Sequence, residues 1–250
     1  MCRNGHRQYY PTLMIFKFKI QQYQTDAVEN TVAVFNGQPS HKVAAEYRMD
    51  KGKVLHQNMF DSDTGYCNHN LELDEKTLLK NINSIQNRND IEPSSSLSKG
   101  LGGVNLDIEM ETGTGKTYVY IKTMFDLNKQ YGWSKFIIVV PSIAIREGVA
   151  KSFDMLEEHF MEHYGKKARR FIYNSGNLQQ LDSYSSNSGL NVMIVPVSEA
   201  SPTTFTGYCG TPLENSCTKI LPSLWISALR WVESAFTQDT PTPCRPPETL

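Results

Sequence analysis

Between Leu106 and Thr117 the chain reads Leu-Asp-Ile-Glu-Met-Glu-Thr-Gly-Thr-Gly-Lys-Thr. The residue types from Thr112 to Thr117 suit one task, the grip of a polyphosphate. Gly113 and Gly115 let the chain bend so that successive backbone N–H groups converge on an anion, with Thr112 and Thr114 filling the turn. The ammonium of Lys116 can reach the β and γ phosphates, and the Thr117 hydroxyl can hold Mg2+. A helix starting at Lys116 would turn its positive end toward the same charge. The expected ligand is a nucleoside triphosphate with its Mg2+. Gripping it and cutting it are separate tasks, because hydrolysis also needs carboxylates that hold the metal and position water.

Such a loop works when a strand delivers the chain to it and a helix carries it away. Residues 104–109 predict that strand. Residues 116–131 read as the helix, with Tyr120, Met124, Leu127 and Tyr131 in one stripe and Gly132 as its cap. The rhythm then repeats. The apolar run 136–140 suits a strand buried on both faces. Pro141-Ser142 turns the chain, and 143–164 predicts a long helix with Ile145, Val149, Phe153, Leu156 and Phe160 inward. Residues 170–173 and 191–195 read as two more strands, separated by a polar loop over 177–189. Strand and helix in alternation predict a parallel α/β sheet. Upstream, 15–20 reads as a short strand or extended lead-in and 21–35 as a helix with Val28, Val32 and Phe35 on one face. Residues 41–73 are polar and weakly patterned. A second helix follows Asp74 with Leu78, Ile82 and Ile85 at helical spacing, then a linker over 87–96 and a flexible approach from Gly100 to Gly103.

Met110 stands where the general Gly-x-x-x-x-Gly-Lys-(Ser/Thr) pattern has its first glycine. The form found here, Met-Glu-Thr-Gly-Thr-Gly-Lys-Thr, resembles motif I of superfamily 2 helicases and translocases. Motors of that superfamily carry an upstream glutamine that reads the adenine edge, with an aromatic residue nearby. Gln24, beside Tyr23 in Phe-Lys-Ile-Gln-Gln-Tyr-Gln, occupies that place. A carboxamide offers a donor and an acceptor, which can match adenine N7 and N6. The alternative for a glutamine there is a solvated position on an amphipathic helix. The run from Phe136 to Gly148 resembles motif Ia, a turn with which that superfamily touches the DNA backbone. Ser142 and Arg146 are the candidates, against the plainer roles of helix cap and surface arginine.

The likeness is closer than the superfamily. The segments IQQYQTDAVENTV, LLKNINSIQNRNDI, LDIEMETGTGKTYVYIKTMFDLNKQYGWSKFIIVVPSIAIREGV and FIYNS resemble the restriction (Res) subunit of type III restriction–modification enzymes, over residues 15–195. The resemblance implies a P-loop NTPase with a RecA-like parallel sheet, an ATP-driven translocase and endonuclease on double-stranded DNA. It also implies a modification methyltransferase (Mod) subunit as partner and a prokaryotic cytoplasm. On this reading 1–14 is a leader, 15–103 an N-terminal helical extension with the glutamine segment, and 104–195 an incomplete first motor domain. The family continues into a strand bearing Asp-Glu-Pro-Gln, but no Asp-Glu pair follows Thr117 here. The expectation is an N-terminal fragment that binds ATP and hydrolyses little or none. Proline, cysteine and tryptophan gather after Val195, so 196–250 is expected to be a disordered or out-of-frame tail, with at most a short helix over 221–236. Two other readings stay open: a non-enzymatic nucleotide- or DNA-binding remnant, and a different P-loop NTPase whose acid is Glu109, Glu111 or Glu199.

A net charge of −1 over 250 residues means that any DNA contact must be local. Cys2, Cys67, Cys209, Cys217 and Cys244 lack metal-ligand spacing and read as reduced thiols. No apolar run approaches the roughly 20 residues of a membrane span. His159-Phe-Met-Glu-His163 fits the His-x-x-Glu-His pattern of zinc proteases. It lacks a third ligand and is expected on a solvated helix face. Lys166-Lys-Ala-Arg-Arg170 follows a helix C-terminus, where positive charge is favourable anyway, and could also touch DNA phosphate.

Overall fold

The computed structural model of the chain describes residues 18–42, 45–48, 64–98, 104–174 and 179–196. In chain order its elements are α1 (Gln22–Ala33), β1 (Ala45–Arg48), β2 (Thr64–Cys67), α2 (Glu75–Arg88) and α3 (Lys116–Tyr131). Then follow β3 (Lys135–Val140), α4 (Ile143–Tyr164), β4 (Arg169–Ile172), α5 (Gln179–Ser186) and β5 (Asn191–Pro196). The first two strands form an antiparallel pair. The other three form a parallel sheet in the order β3-β5-β4, with Phe136 opposite Val192 and Ile138 opposite Ile194. This is the expected α/β class, a parallel sheet consistent with a RecA-like P-loop fold.

Central strand β5 shows why its sequence is apolar at nearly every position. Val192 and Ile194 enter the large core shared with α3 and α4. Met193 and Val195 turn the other way, to a smaller cluster with Tyr173, Ile137, Leu181 and Tyr184. A strand covered on both faces has no room for alternation. Helix α3 is the hub of the large core. Val119, Ile121 and Leu127 are fully enclosed, and Phe125 stacks on Phe160 of α4 with centroids 4.7 Å apart. Val28 and Val32 of α1 and Leu78 of α2 belong to the same core, so one apolar interior spans both sides of residue 103.

The upstream segment is sewn to the sheet by polar contacts. The Asn68 carboxamide oxygen accepts from the backbone N–H groups of Ser134 and Lys135, both at 2.8 Å, and its nitrogen donates to the Lys135 carbonyl at 2.8 Å. It thus gives the start of β3 the pairing a neighbouring strand would. The Trp133 indole N–H donates to the His69 carbonyl at 3.0 Å, and its ring meets Phe35 edge-on at 5.1 Å. His41 donates its N–H to the carbonyl of Tyr131, the last residue of α3.

Several expectations are corrected. Residues 104–109 are not a strand of the sheet. Val104 makes one bridge, and 105–111 carry no regular structure. The side chains still alternate as a strand's would, with Val104, Leu106, Ile108 and Met110 packed on the core. Alternation reports burial, while a strand also needs a backbone neighbour, and β3 pairs only with β5 among the described residues. The weakly patterned 41–73 region holds the β1–β2 pair, too short to show a period. The polar loop over 177–189 contains α5, whose buried side is narrow. Residues 18–20 are irregular rather than extended into a sheet. Ile145 points outward and is 37% exposed, because the first turn of α4 projects beyond the sheet. The leader 1–14, residues 15–17, the Gly100–Gly103 approach and everything after Pro196 lie outside the described residues.

Two measurements check this packing. Gly132 caps α3 at φ +79°, and a Cβ there would lie 1.5 Å from the His41 carbonyl oxygen. Gly132→Ala is therefore expected to lower unfolding free energy by about 2–4 kcal/mol in urea titrations, from left-handed strain plus the clash. Lys135 is buried, donates to the carbonyls of Tyr184 and Asn187, and lies 5.1 Å from the Tyr184 ring centroid. Burial pushes its ammonium down to about 8 from 10.5, with Cys67 opposing. Between those values the unfolded chain holds a proton that the native chain has released, so this group's contribution to stability rises with pH. Wild type should gain stability relative to Lys135→Met between pH 8 and 10, and a flat difference would contradict the burial effect.

Candidate nucleotide-binding site

Two left-handed glycines shape the loop that leads into α3. Gly113 has φ +84° and faces open space; Gly115 has φ +85° and sits at the helix N-cap. Between them Thr114 folds back on Glu111, its N–H and hydroxyl both donating to the Glu111 carbonyl, at 3.4 and 2.6 Å. Thr112 and Gly113 are exposed, while Thr114, Gly115, Lys116 and Thr117 are half-buried. The first turn of α3 leaves its leading N–H groups without helical acceptors, as every helix does. Behind the loop, Leu106, Ile108 and Met110 anchor the approach to the core. Met110 is half-buried, so a packed side chain stands at the place where the general Gly-x-x-x-x-Gly-Lys-(Ser/Thr) pattern has glycine.

Helix α1 reaches this loop across 90 residues of sequence. The Gln24 side-chain nitrogen donates to the Thr114 carbonyl at 2.9 Å, and the Tyr23 hydroxyl donates to the same oxygen at 3.2 Å. The Gln24 carboxamide oxygen accepts from its own helix start, the Gln21 N–H, at 3.4 Å. A carboxamide has two N–H donors and two acceptor lone pairs, so one of each is left for a further partner. Gly115 is favoured by its φ, and a Cβ there would lie 2.5 Å from the Gln24 nitrogen, so any side chain would push the Gln24 amide away from the loop. The Tyr23 contact was not foreseen. Its only signal in sequence was adjacency to Gln24.

The start of α3 carries two buried tyrosines, Tyr118 and Tyr120. Burial pushes the Tyr120 phenol up to about 12, opposed by the neighbouring Thr117 side chain. The Tyr118 hydroxyl meets His159 Nε2 at 3.2 Å, and the Phe18 ring lies 5.5 Å from the His159 ring. His159 is therefore half-buried among aromatics, not on a solvated face as expected. Burial first, then His163, lower its pKa. Its ring is 4.3 Å from that of His163, yet no group of three metal-ligating side chains occurs among the described residues. Glu109 and Glu111 are exposed beside the loop, and Glu199 lies outside the described residues.

Ser142 and Arg146 sit apart, at the carboxyl end of β3. Ser142 is the N-cap of α4, its hydroxyl accepting from the Ile145 N–H at 3.3 Å. The Arg146 guanidinium pairs with neighbouring Glu147 at 3.0 Å. Neither bonds to the phosphate loop. The structure thus brings Gln24 to Thr114 and leaves Ser142, exposed, and Arg146, half-buried, on the separate turn that opens α4.

Comparison with known proteins agrees with this architecture. A family model described as "Type III restriction enzyme, res subunit" matches residues 17–202. The EcoP15I Res subunit of Escherichia coli is 42% identical over 111 residues, 44% of this chain and 11% of that protein. The EcoPI Res subunit of Escherichia phage P1 is 42% identical over 110 residues, 43% and 11% of the two chains. The StyLTI Res subunit of Salmonella typhimurium is 51% identical over 63 residues, 24% and 6%. The chain therefore spans about a tenth of the length of the first two relatives. With its parallel sheet, its glycine loop and a family match over most of its length, the chain belongs to the type III restriction enzyme res subunit family.

Proposed function

We propose that this chain is the ATP-gripping part of a type III restriction motor, and that the 250-residue chain holds ATP without turning it over. The observation that carries the reading is the pair of hydrogen bonds from Gln24 and Tyr23 to the Thr114 carbonyl. They join a group suited to reading a base edge to a loop suited to holding phosphates. Gly113 and Gly115 shape the loop, Thr112 and Thr114 line it, Lys116 meets the β and γ phosphates, and Gln24 uses its remaining donor and acceptor on adenine. The donor set fits Mg2+-ATP: an ammonium, a hydroxyl, two left-handed glycines and a helix start in one stretch. Mg2+ held by Thr117 would neutralise phosphate charge.

Hydrolysis needs a carboxylate that orients water and charge that stabilises the transition state. No Asp-Glu pair follows Thr117 in the chain. The relatives are Res subunits of type III restriction–modification enzymes; by that likeness the whole enzyme would work on double-stranded DNA with a Mod subunit, in a prokaryotic cytoplasm. Ser142 and Arg146 offer a DNA-backbone contact beside the sheet. Residues 15–103 would serve as the base-reading extension and 104–195 as the phosphate-holding part of the motor. No helix among the described residues is long and apolar enough to cross a membrane.

The test is binding of a fluorescent ATP analogue to the purified chain. Lys116→Ala should weaken it at least tenfold, the scale of one charge-assisted phosphate contact. Gln24→Ala should narrow the preference for ATP over GTP while leaving triphosphate binding measurable. Steady-state hydrolysis should stay at background with or without duplex DNA. DNA-stimulated turnover that Lys116→Ala abolishes would refute the inactivity. Its further loss in Glu111→Gln would favour a P-loop NTPase with its acid beside the loop.

A further inference from the structure

At the amino ends of β3, β4 and β5, away from the Pro141-Ser142 turn, lies an open cavity of about 1060 Å³. No residue of the phosphate loop lines it. Five basic side chains do: Lys42, Lys166, Lys167, Arg169 and Arg170. Two of these are neutralised. Arg170 grips Asp154 through Nε at 3.0 Å and Nη2 at 2.7 Å, and Lys167 pairs with Glu157. Lys166 meets only a neutral partner, the Asn128 side-chain oxygen, at 3.0 Å. Exposed Lys42 and Arg169 meet no carboxylate among the described residues. Among the described residues, three positive charges are therefore in excess at one cleft of a chain whose net charge is −1.

The cavity also holds an orphan donor. Ser134 lines it, is 3% exposed, and its hydroxyl has no hydrogen-bond partner among the described residues. Buried hydroxyls are rarely left unpaired without a reason such as a ligand that is yet to arrive. The negative ends of α3 and α4 account for lysines at 166 and 167. They do not account for Arg169, which stands on β4, or for the unpaired hydroxyl. An oxyanion would answer the excess charge, and would accept the Ser134 proton once the lining opens to it, since no solvent reaches that hydroxyl in this structure.

We propose that this cleft is a second phosphate site, separate from the phosphate loop, that takes a backbone phosphate of double-stranded DNA. The cleft is open and polar, and its three excess charges are spread around it. That suits a charged strand passing by better than an enclosed small anion. Cofactors of open α/β sheets lie at the carboxyl ends of the strands, so DNA here would not compete with ATP. The choice of DNA as the phosphate source rests on the function proposed above; the anion site itself does not.

The test is fluorescence anisotropy of a labelled 20-base-pair duplex with the full chain, without nucleotide, across a series of NaCl concentrations. Lys166→Ala/Arg169→Ala should weaken binding about tenfold at low salt and shrink the slope of log affinity against log salt by about 1–2, the signature of one or two lost phosphate contacts. Lys166→Arg/Arg169→Lys should keep the wild-type slope. Ser134→Ala should weaken binding at least twofold with the slope unchanged. A folded double-alanine variant, checked by circular dichroism, with wild-type affinity and slope would overturn the proposal. Inorganic phosphate titrated at constant ionic strength separates the two sources. If the variant loses phosphate binding but keeps duplex binding, the cleft is a small-anion site and the DNA assignment fails. Binding of the ATP analogue is read in parallel and should be unchanged in the variant, so failure of the nucleotide reading shows in that arm alone.

Discussion

A glycine-rich turn is mostly backbone, so it must be held from behind by something other than its own hydrogen bonds. Here that support converges on one atom, the carbonyl oxygen of Thr114. Gln24 and Tyr23 donate to it from α1, and Thr114 itself folds back on Glu111. The apolar row Leu106, Ile108 and Met110 secures the approach, and α3 secures the exit by burying Val119 and Ile121. The two left-handed turns fall on glycines, which adopt positive φ without steric cost.

That arrangement makes the upstream helices part of the same object as the sheet. Helix α1 can hold Thr114 only because Val28 and Val32 share the core of α3. The start of β3 is held in turn by Asn68, whose carboxamide makes three hydrogen bonds to the strand's first residues. Gly132 is the tightest point of the junction, where the end of α3 passes against the backbone of His41. Positioning of the loop and packing of the extension are thus one energetic problem, since loosening either exposes polar backbone of the other.

Much of the fold was legible from local pattern. Helices α1 to α4 and strands β3 to β5 followed from the spacing of apolar residues, with ends shifted by a residue or two where caps decide. The failures share a physical cause. Residues 104–109 alternate like a strand because one side is buried, but pairing depends on a neighbour that alternation does not reveal. The β1–β2 pair and α5 are too short for a period to emerge. His159 looked solvated by its place on the helical wheel, yet Tyr118 and Phe18 close over it from other segments.

The glycine loop, the apolar strands and the family resemblance could be read from residue types along the chain, because turn geometry and burial on both faces are local demands. What could not be read was which remote groups meet. The hydrogen bonds of Gln24 and Tyr23 to Thr114, the Asn68 clamp on β3, and the convergence of Lys42, Lys166, Arg169 and Ser134 on one cleft each join segments far apart in sequence. Their polar side chains carry no periodic signal, and their partners are set only once the core has fixed the distances between elements.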